Sequence, residues 1–158
     1  MYIRFVPYVT RTRPSLTNRT ANLLVNRAAR LLGRIAEPRL RELGLSVAQL
    51  PVLGALERGG SLPQKELAHS ARLEQPTMTE LLARMKRAGL VRTAANPVDG
   101  RSQLVSLTRA ATSKLAKVHA LQLRANREAL TGFSAAEAET LRVLLGRVVA
   151  NLERVADV

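Results

Sequence analysis

The 158-residue chain contains no cysteine and no tryptophan, and only 3% of its residues are aromatic. The absence of cysteine excludes disulfides, thiol redox sensing, cysteine nucleophiles and cysteine-ligated zinc. With so few aromatic side chains, the core must be built from Leu, Val, Ala and Ile, which favours a mainly helical protein. Hydrophobic residues make up 46% and charged residues 23% of the chain. This ordinary balance excludes wholesale disorder.

Long apolar runs are absent too. The longest stretch without a charge, residues 43–56, has 14 residues and contains proline and glycine, whereas a membrane span needs about 20 apolar residues. Residues 1–14 lack both a continuous apolar region and a small-residue cleavage site, which argues against a signal peptide. We therefore expect a cytoplasmic protein that does not enter the membrane.

Acidic residues are few: 12 Asp and Glu stand against 25 Lys and Arg, a formal charge of +13. Such an excess favours a polyanionic partner, either nucleic acid or an anionic membrane surface. The excess is largest in residues 1–44, where 9 basic residues face 2 acidic ones. The arginines of residues 1–19 form either a flexible arm that contacts phosphates or a solvated start without a role.

Three long helices are predicted from apolar periodicity and capping residues. The first covers residues 15–43, where apolar side chains recur at helical spacing, and Pro38 is expected to kink or split it. Thr108 is a candidate N-cap for the second, and Ser134 with Glu137 forms a capping box that begins the third. A further capping box at Ser46 begins a shorter helix that ends at a Gly-Gly pair.

Between these helices the pattern predicts two short helices followed by a hairpin. The short helices begin near Pro63 and Pro76, with a tight turn between them. Two β-type runs, 90–93 and 103–107, are separated by turn-forming residues and predict a β-hairpin with a basic tip. The buried side of the second short helix is expected to consist of Met78, Leu81, Leu82 and Met85.

A helix-turn-helix followed by a β-hairpin is the layout of a winged helix-turn-helix, a DNA-binding arrangement in which the second helix enters the major groove. The apolar faces of the long flanking helices are broader than a small winged domain can cover. Burying them against a second copy of the chain is the simplest solution, so the sequence predicts a homodimer.

Two stretches resemble the multiple-antibiotic-resistance regulator (MarR) family of bacterial transcription regulators: LPQKELAHSARLEQPTMTELLARMKRAGLVR (62–92) and NPVDGRSQLVSLT (96–108). The second is the more specific, because Asp-x-Arg at a wing tip before a strand ending in Leu-Thr is characteristic of that family. The resemblance implies a mainly α fold with a small β-hairpin wing. It implies a single domain over 1–158, in which a winged helix-turn-helix lobe (45–108) lies between dimerisation helices (15–44 and 109–158). Residues 1–14 are the candidate flexible arm of this domain.

The outward face of the second short helix and its flanks carry the candidate DNA contacts, which are Thr77, Arg84 and Arg87 on the face and Gln75 and Thr79 at the flanks. Threonine and glutamine can contact phosphates or base edges, and arginine can bind guanine with two hydrogen bonds. The alternative is an ordinary solvated helix face. Glu80 lies on the same face, where related proteins often carry a basic or small polar residue. A carboxylate there costs affinity for DNA unless it accepts a hydrogen bond from a cytosine amine.

At the wing, the resemblance places Arg101 in or at the minor groove, with Asp99 holding its guanidinium group. A narrow minor groove concentrates negative potential and attracts arginine. The alternative is an Asp–Arg pair that only stabilises the turn. Val98 stands where related wings often carry another basic residue, which suggests weaker DNA binding by this wing.

Catalytic and metal sites are not expected. His69 and His119 each stand without a second ligand at metal-binding spacing, and no serine is part of a recognisable catalytic motif. We therefore expect neither an enzyme nor a cofactor.

The resemblance also implies pseudo-palindromic operator DNA as the partner and a small ligand that weakens DNA binding. In the family such pockets form where the first, second and fifth helices meet. The polar candidates on those helices are Asn26, Arg30, Gln49 and His119.

The leading hypothesis is a homodimeric, sequence-specific transcription regulator, a repressor released by a small anionic or aromatic ligand. One alternative is an architectural DNA-binding protein without a ligand. Another is a basic helical protein that binds anionic membranes or other proteins. The basic hairpin disfavours the last, because a wing with Asp99 and Arg101 at its tip has no evident use on a membrane.

Overall fold

The computed structural model describes residues 20–156, so the predicted arm at 1–14 and the first residues of the predicted first helix lie outside the described part. The helices are α1 (Ala21–Arg41), α2 (Leu50–Gly59), α3 (Gln64–Ala71), α4 (Gln75–Arg87), α5 (Arg109–Ala129) and α6 (Ala135–Ala156), with a 3-10 turn at Val47–Gln49. The strands are β1 (Ser61–Pro63), β2 (Val91–Ala95) and β3 (Gln103–Leu107). The mainly helical fold with a small wing is as predicted.

The wing contains one strand more than the predicted hairpin. The sheet order is β1-β3-β2 and both pairings are antiparallel, with Leu62 opposite Val105 and Val91 opposite Leu107. A three-residue segment that ends in proline carries no alternating pattern, so the sequence gives no signal for β1. It is a strand because β3 lies alongside it, and proline is tolerated there because β1 is an edge strand.

Of the two outcomes expected at Pro38, a kink or a split, the split does not occur, since the helix continues through it to Arg41. A proline inside a helix costs about 3 kcal/mol or more through a lost hydrogen bond and a steric clash. Contacts with neighbouring elements offset that cost in the last turn. Leu40 is only 2% exposed, and Arg39 forms an ion pair with Glu128 of α5.

Thr108 and Ser134 begin their helices as predicted, whereas Ser46 begins the 3-10 turn that precedes α2. Thr108 Oγ1 accepts a hydrogen bond from the Ala111 N–H at 3.2 Å, which caps α5. At the start of α6 the Ser134 N–H donates to Glu137 Oε2 at 2.8 Å, and the Glu137 N–H donates to Ser134 Oγ at 3.3 Å. Before α2 the Ser46 N–H donates to the Gln49 side chain at 3.0 Å. These bonds satisfy N–H groups that would otherwise lack partners.

The core lies in the winged helix-turn-helix lobe. All four residues predicted for the buried side of α4 are buried, and the largest fully buried side chains are Leu56, Leu67, Met78, Met85, Leu90 and Val52. By contrast, α6 buries none of its residues within one chain. Large apolar side chains are exposed along α1 and α6, among them Leu24, Leu31, Ile35, Leu144, Leu145, Val148, Val149 and Leu152.

The turn between α3 and α4 contains a residue with a left-handed backbone conformation. Arg72, which caps the end of α3, has φ 51° and is the only residue other than glycine with positive φ between residues 20 and 156. Its guanidinium lies 2.8 Å from Glu153 near the end of α6. The last helix therefore contacts the helix-turn-helix through this ion pair. No helix within 20–156 is long and apolar enough to cross a lipid bilayer.

Candidate nucleic-acid interface

Helix α4 has one face anchored in the core and the opposite face open to solvent. The anchoring side chains are those of Met78, Leu81, Leu82 and Met85. All five residues predicted for DNA contact are exposed: Thr77, Arg84 and Arg87 from the outward face, and Gln75 and Thr79 from its flanks. The packing therefore fixes the helix by its apolar side and presents its polar side, which a recognition helix requires.

Thr79 is held by neighbouring groups. Its hydroxyl donates to the Gln75 carbonyl oxygen at 2.9 Å and accepts from Gln64 Nε2 at 2.7 Å. Gln64 is the first residue of α3, so this bond joins the start of α3 to the first turns of α4. Sequence reasoning missed Gln64, because a glutamine at a helix start carries no signal of a contact 15 residues away.

Asp99 at the wing tip contacts backbone rather than the arginine side chain. Its Oδ1 accepts a hydrogen bond from the Arg101 N–H at 3.0 Å. No ion pair joins the Asp99 carboxylate to the Arg101 guanidinium in the described part of the chain, so the predicted hold of Asp99 on that group is not formed in the chain without DNA. An aspartate most readily bonds the N–H two residues further on, which forms a local turn. The Arg101 guanidinium is left available to an outside partner.

The rest of the wing tip is tied together by short-range hydrogen bonds. Asn96 Oδ1 accepts from the Val98 N–H at 3.0 Å, and Asn96 Nδ2 donates to Ser102 Oγ at 2.8 Å. The Ser102 N–H donates to the Asp99 carbonyl oxygen at 3.0 Å. Val98 is 93% exposed at this tip. The loop thus holds a defined shape, and Arg101 is exposed on it.

A polar groove of about 400 Å³ separates α4 from the wing. Thr79 and Lys86 line it from α4, and Thr93 and Arg101 line it from the wing. Lys86 Nζ donates to Thr93 Oγ1 at 3.1 Å, which bridges the two walls. The fold therefore brings the predicted wing arginine and the predicted Thr79 to one groove.

Sequence and structural comparisons point to one family. Residues 43–102 match the sequence model of the MarR family. A Bacillus subtilis protein, the uncharacterized HTH-type transcriptional regulator YwoH, is 32% identical over 119 residues, which cover 75% of this chain and 86% of that protein. The chain belongs to the MarR family.

Two further relatives are similar to this MarR-family chain over most of its length. The HTH-type transcriptional repressor IacR of Pseudomonas putida is 30% identical over 128 residues, which cover 79% of this chain and 77% of that protein. A mutant of MarR from E. coli, solved in complex with operator DNA, superposes with a TM-score of 0.76 at 26% identity. That superposition covers 85% of this chain and 99% of the E. coli chain.

A second feature of this MarR-family chain is an apolar cavity of about 400 Å³ between α1 and α5. Its lining includes Leu32, Leu40, Leu50, Val118, Leu121 and Ala125, and its polar contributors are Arg39, Gln122 and Asn126. The four polar residues suggested from the sequence, Asn26, Arg30, Gln49 and His119, do not line it. The residues that face the cavity follow from how α1 and α5 pack.

His119 instead lines a smaller cavity of about 290 Å³ between α2 and α5. Its Nε2 lies 3.0 Å from Glu57 Oε2. Within residues 20–156 no group of three or more His, Cys, Asp or Glu side chains is arranged to hold a metal ion. The contact between His119 and Glu57 therefore joins α5 to α2.

Charged groups meet at the edge of the α1–α5 cavity. Glu128 accepts hydrogen bonds from Arg39 of α1 and from Arg124 of its own helix, the latter at 2.8 Å. These bonds, that of Arg39 foremost, lower the pKa of Glu128 to about 2. The Arg39 guanidinium beside the cavity is thus already paired with a carboxylate.

Proposed function

We propose that this chain is a homodimeric transcription regulator that binds a pseudo-palindromic operator in double-stranded DNA. The observation that carries the proposal is the joint exposure of the polar face of α4 and of the wing arginine, on a lobe whose apolar side is fully packed. The repressor name of IacR and the operator DNA in the structure of the E. coli MarR mutant support the same function. Such a regulator works in the cytoplasm, by binding and not by catalysis.

In this proposal the two elements read DNA differently. Gln75 and Thr77 contact phosphates or base edges near the start of α4, and Arg84 and Arg87 address guanines or phosphates in the major groove. Arg101 enters or borders the minor groove, where its charge is favoured by the negative potential. Thr79 and Asp99 act by holding α4 and the wing tip, since their side chains already bond to neighbouring groups.

The exposed apolar faces of α1 and α6 support the homodimer. Helix α6 has 22 residues and buries none of them within one chain, although it carries seven exposed large apolar side chains. A monomer would expose this continuous strip to water, which is a strong indication of a protein interface. A twofold axis between two copies would present two α4 helices, and a palindromic site requires such helices about one DNA turn, about 34–36 Å, apart.

Binding of DNA is tested by titrating the full chain against the duplex upstream of its own gene, a scrambled duplex and anionic lipid vesicles. We expect the upstream duplex to bind at least about a thousandfold tighter than the scrambled one, as specific regulators do. Equal affinity for both duplexes would indicate an architectural protein. Binding to vesicles alone would contradict the proposal.

We further propose that the regulator is a repressor released by a ligand in the α1–α5 cavity. The lining is mostly apolar, and its arginine is already neutralised by Glu128, so an anionic ligand would have to displace that carboxylate. An uncharged aromatic ligand needs no such exchange. Occupation of the cavity would alter the spacing of α1 and α5, and with it the positions of the two winged lobes.

Benzamide and benzoate form a matched pair of probes for this cavity, because they differ mainly in charge. We expect benzamide to raise the melting temperature and to weaken operator binding more than benzoate does at the same concentration. Ala125→Phe, which fills the cavity, should abolish both responses to benzamide and, because it occupies the cavity as a ligand would, should weaken operator binding without any ligand. A stronger effect of benzoate, or unchanged responses in Ala125→Phe, would contradict the ligand proposal.

A further inference from the structure

The exposed face of α4 carries one acid among its basic residues. Glu80 is exposed near the middle of the helix, and Arg84, Lys86 and Arg87 are exposed beyond it. A carboxylate that faces a phosphate-rich duplex is repelled by it and lowers affinity for every sequence. A surface that served only to attract DNA would bind it more tightly without this carboxylate.

The carboxylate of Glu80 has no polar partner among residues 20–156. It forms no hydrogen bond or ion pair with any of them, although Arg84 follows at the i+4 spacing that favours such pairs. Elsewhere the chain does form this pair, since Arg41 and Glu37 are joined at 3.2 Å at the same spacing. The carboxylate of Glu80 and the guanidinium of Arg84 are both left to an outside partner.

The three residues Thr77, Glu80 and Arg84 lie in one row along the exposed face, because residues three and four apart are neighbours on a helix. Glu80 occupies the centre of that row. A recognition helix in the major groove contacts base edges with its N-terminal residues. Thr77 and Glu80 lie within the first two turns of α4, so both are placed to reach those edges.

Among the base edges of the major groove, cytosine suits a carboxylate best. Its N4 amine donates a hydrogen bond, whereas guanine presents only the acceptors N7 and O6 and thymine presents O4 and a methyl group. Adenine has an N6 amine, but its N7 acceptor lies beside it and would face the carboxylate oxygens unpaired. A carboxylate therefore favours cytosine and penalises the other three bases.

We propose that Glu80 is a specificity determinant that accepts a hydrogen bond from the N4 amine of one cytosine in each operator half-site. Arg84, one turn further along, donates to a guanine close to that cytosine. This inference rests on the proposed DNA binding and names one base that the operator must contain. Glu80 weakens binding to random DNA and favours binding only where a cytosine lies opposite its carboxylate. It therefore acts chiefly by lowering the affinity for wrong sites.

The test is selection of preferred duplexes from a randomised pool by the full-length wild type, Glu80→Gln and Glu80→Ala. We expect the wild type to enrich cytosine at one position of each half-site and Glu80→Ala to lose that preference. Glu80→Gln should shift it towards adenine, since an amide can bond both N6 and N7 of that base. In direct titrations, replacing the cytosine should weaken the wild type roughly 10- to 100-fold and Glu80→Ala less than about twofold.

Glu66→Gln is the matched control, because Glu66 is an exposed acid on α3 and its replacement makes the same change in net charge. It should leave every base preference unchanged. If Glu80→Ala tightens binding to all duplexes by one common factor and still prefers the same bases, Glu80 is only a solvated acid and the inference fails while DNA binding stands. If the wild type binds no duplex specifically, the proposed function itself fails.

Discussion

Arg39 in the last turns of α1 and Glu128 at the end of α5 form an ion pair with two hydrogen bonds, Nη1 to Oε2 at 2.8 Å and Nη2 to Oε1 at 3.0 Å. The pair joins two helices that are 89 residues apart in sequence. Arg39 follows Pro38 directly, so the pair fixes the end of α1 next to the residue that cannot donate a backbone hydrogen bond. It also closes one edge of the α1–α5 cavity.

The pair predicts an acid-dependent loss of stability. The pKa of Glu128 falls from 4.5 to about 2 in the folded protein. A carboxyl group with a lowered pKa stabilises the folded state fully above its unfolded pKa and loses that contribution as pH falls towards the folded value. Glu128→Gln should therefore lower the melting temperature at pH 7, and its difference from the wild type should shrink between pH 5 and pH 2.

Thermal unfolding followed by circular dichroism across that pH range measures this difference. Glu66→Gln serves as the control, since it removes an exposed acid on α3 away from the cavity. If the difference in melting temperature between wild type and Glu128→Gln grows as pH falls, the predicted contribution of this ion pair to stability is contradicted.

The wing tip predicts different outcomes for two substitutions of Asp99. Asp99→Asn keeps a side-chain oxygen for the Arg101 N–H, so operator affinity should change little. Asp99→Ala loses that bond, worth about 0.5–1.5 kcal/mol, and should weaken operator binding several-fold by loosening the loop. Titration of both variants against the operator decides the matter. Equal losses in both would mean that the charge of Asp99 matters and that the observed backbone contact does not.

Loss of the wing arginine should be seen mainly in the dependence of DNA affinity on salt. Arg101→Ala removes a phosphate-neutralising charge, so it should weaken specific and scrambled duplexes alike and reduce the slope of log affinity against log salt by about one per contact in each subunit. Titrations at several salt concentrations measure that slope. An unchanged affinity and slope would show that the wing does not touch DNA.

Loss of Arg84 should be seen mainly in specificity. If its guanidinium binds a guanine, Arg84→Ala removes discrimination worth about 1–3 kcal/mol. The ratio of affinities for operator and scrambled DNA should then fall roughly 10- to 100-fold. Competition between the two duplexes gives this ratio directly. A uniform loss on both duplexes would assign Arg84 to phosphate contacts.

The exposed strip of α6 predicts that one charge can separate the subunits. Leu144→Glu places a carboxylate in the proposed dimer interface, where burial without a partner is costly. Sedimentation at micromolar concentration should give twice the 17.3 kDa chain mass for the wild type and one chain for the variant. Ala150→Glu, on the opposite side of the same helix, should remain dimeric. A monomeric wild type would refute the dimer.

Peroxide should not switch DNA binding. The chain has no cysteine, and both Met78 and Met85 in α4 are fully buried, which protects them from oxidation. Operator affinity measured before and after mild peroxide treatment should be the same. A large loss that dithiothreitol reverses would contradict this expectation, because no thiol is available to account for it.

Local elements were predictable because their causes lie within a few residues of each other. Capping at Thr108 and Ser134 depends on a partner three residues further on, and the apolar stripe of α4 repeats within two turns. The exposed residues of α4 follow from the same stripe, since they occupy the other side of the wheel. The family motifs are equally local, so the winged helix-turn-helix could be predicted too.

Contacts between distant segments depended on packing that no local pattern encodes. The strand character of Pro63, the hold of Gln64 on Thr79 and the residues lining the α1–α5 cavity all arise where elements far apart in sequence meet. The continuity of α1 through Pro38 belongs to the same class, because the ion pair to Glu128 helps to offset a local penalty. The sequence by itself determined which segments form helices and which side of each is apolar. Only the tertiary structure decided which polar groups those helices bring together, because a hydrogen bond between distant residues forms only after both have been positioned by the core.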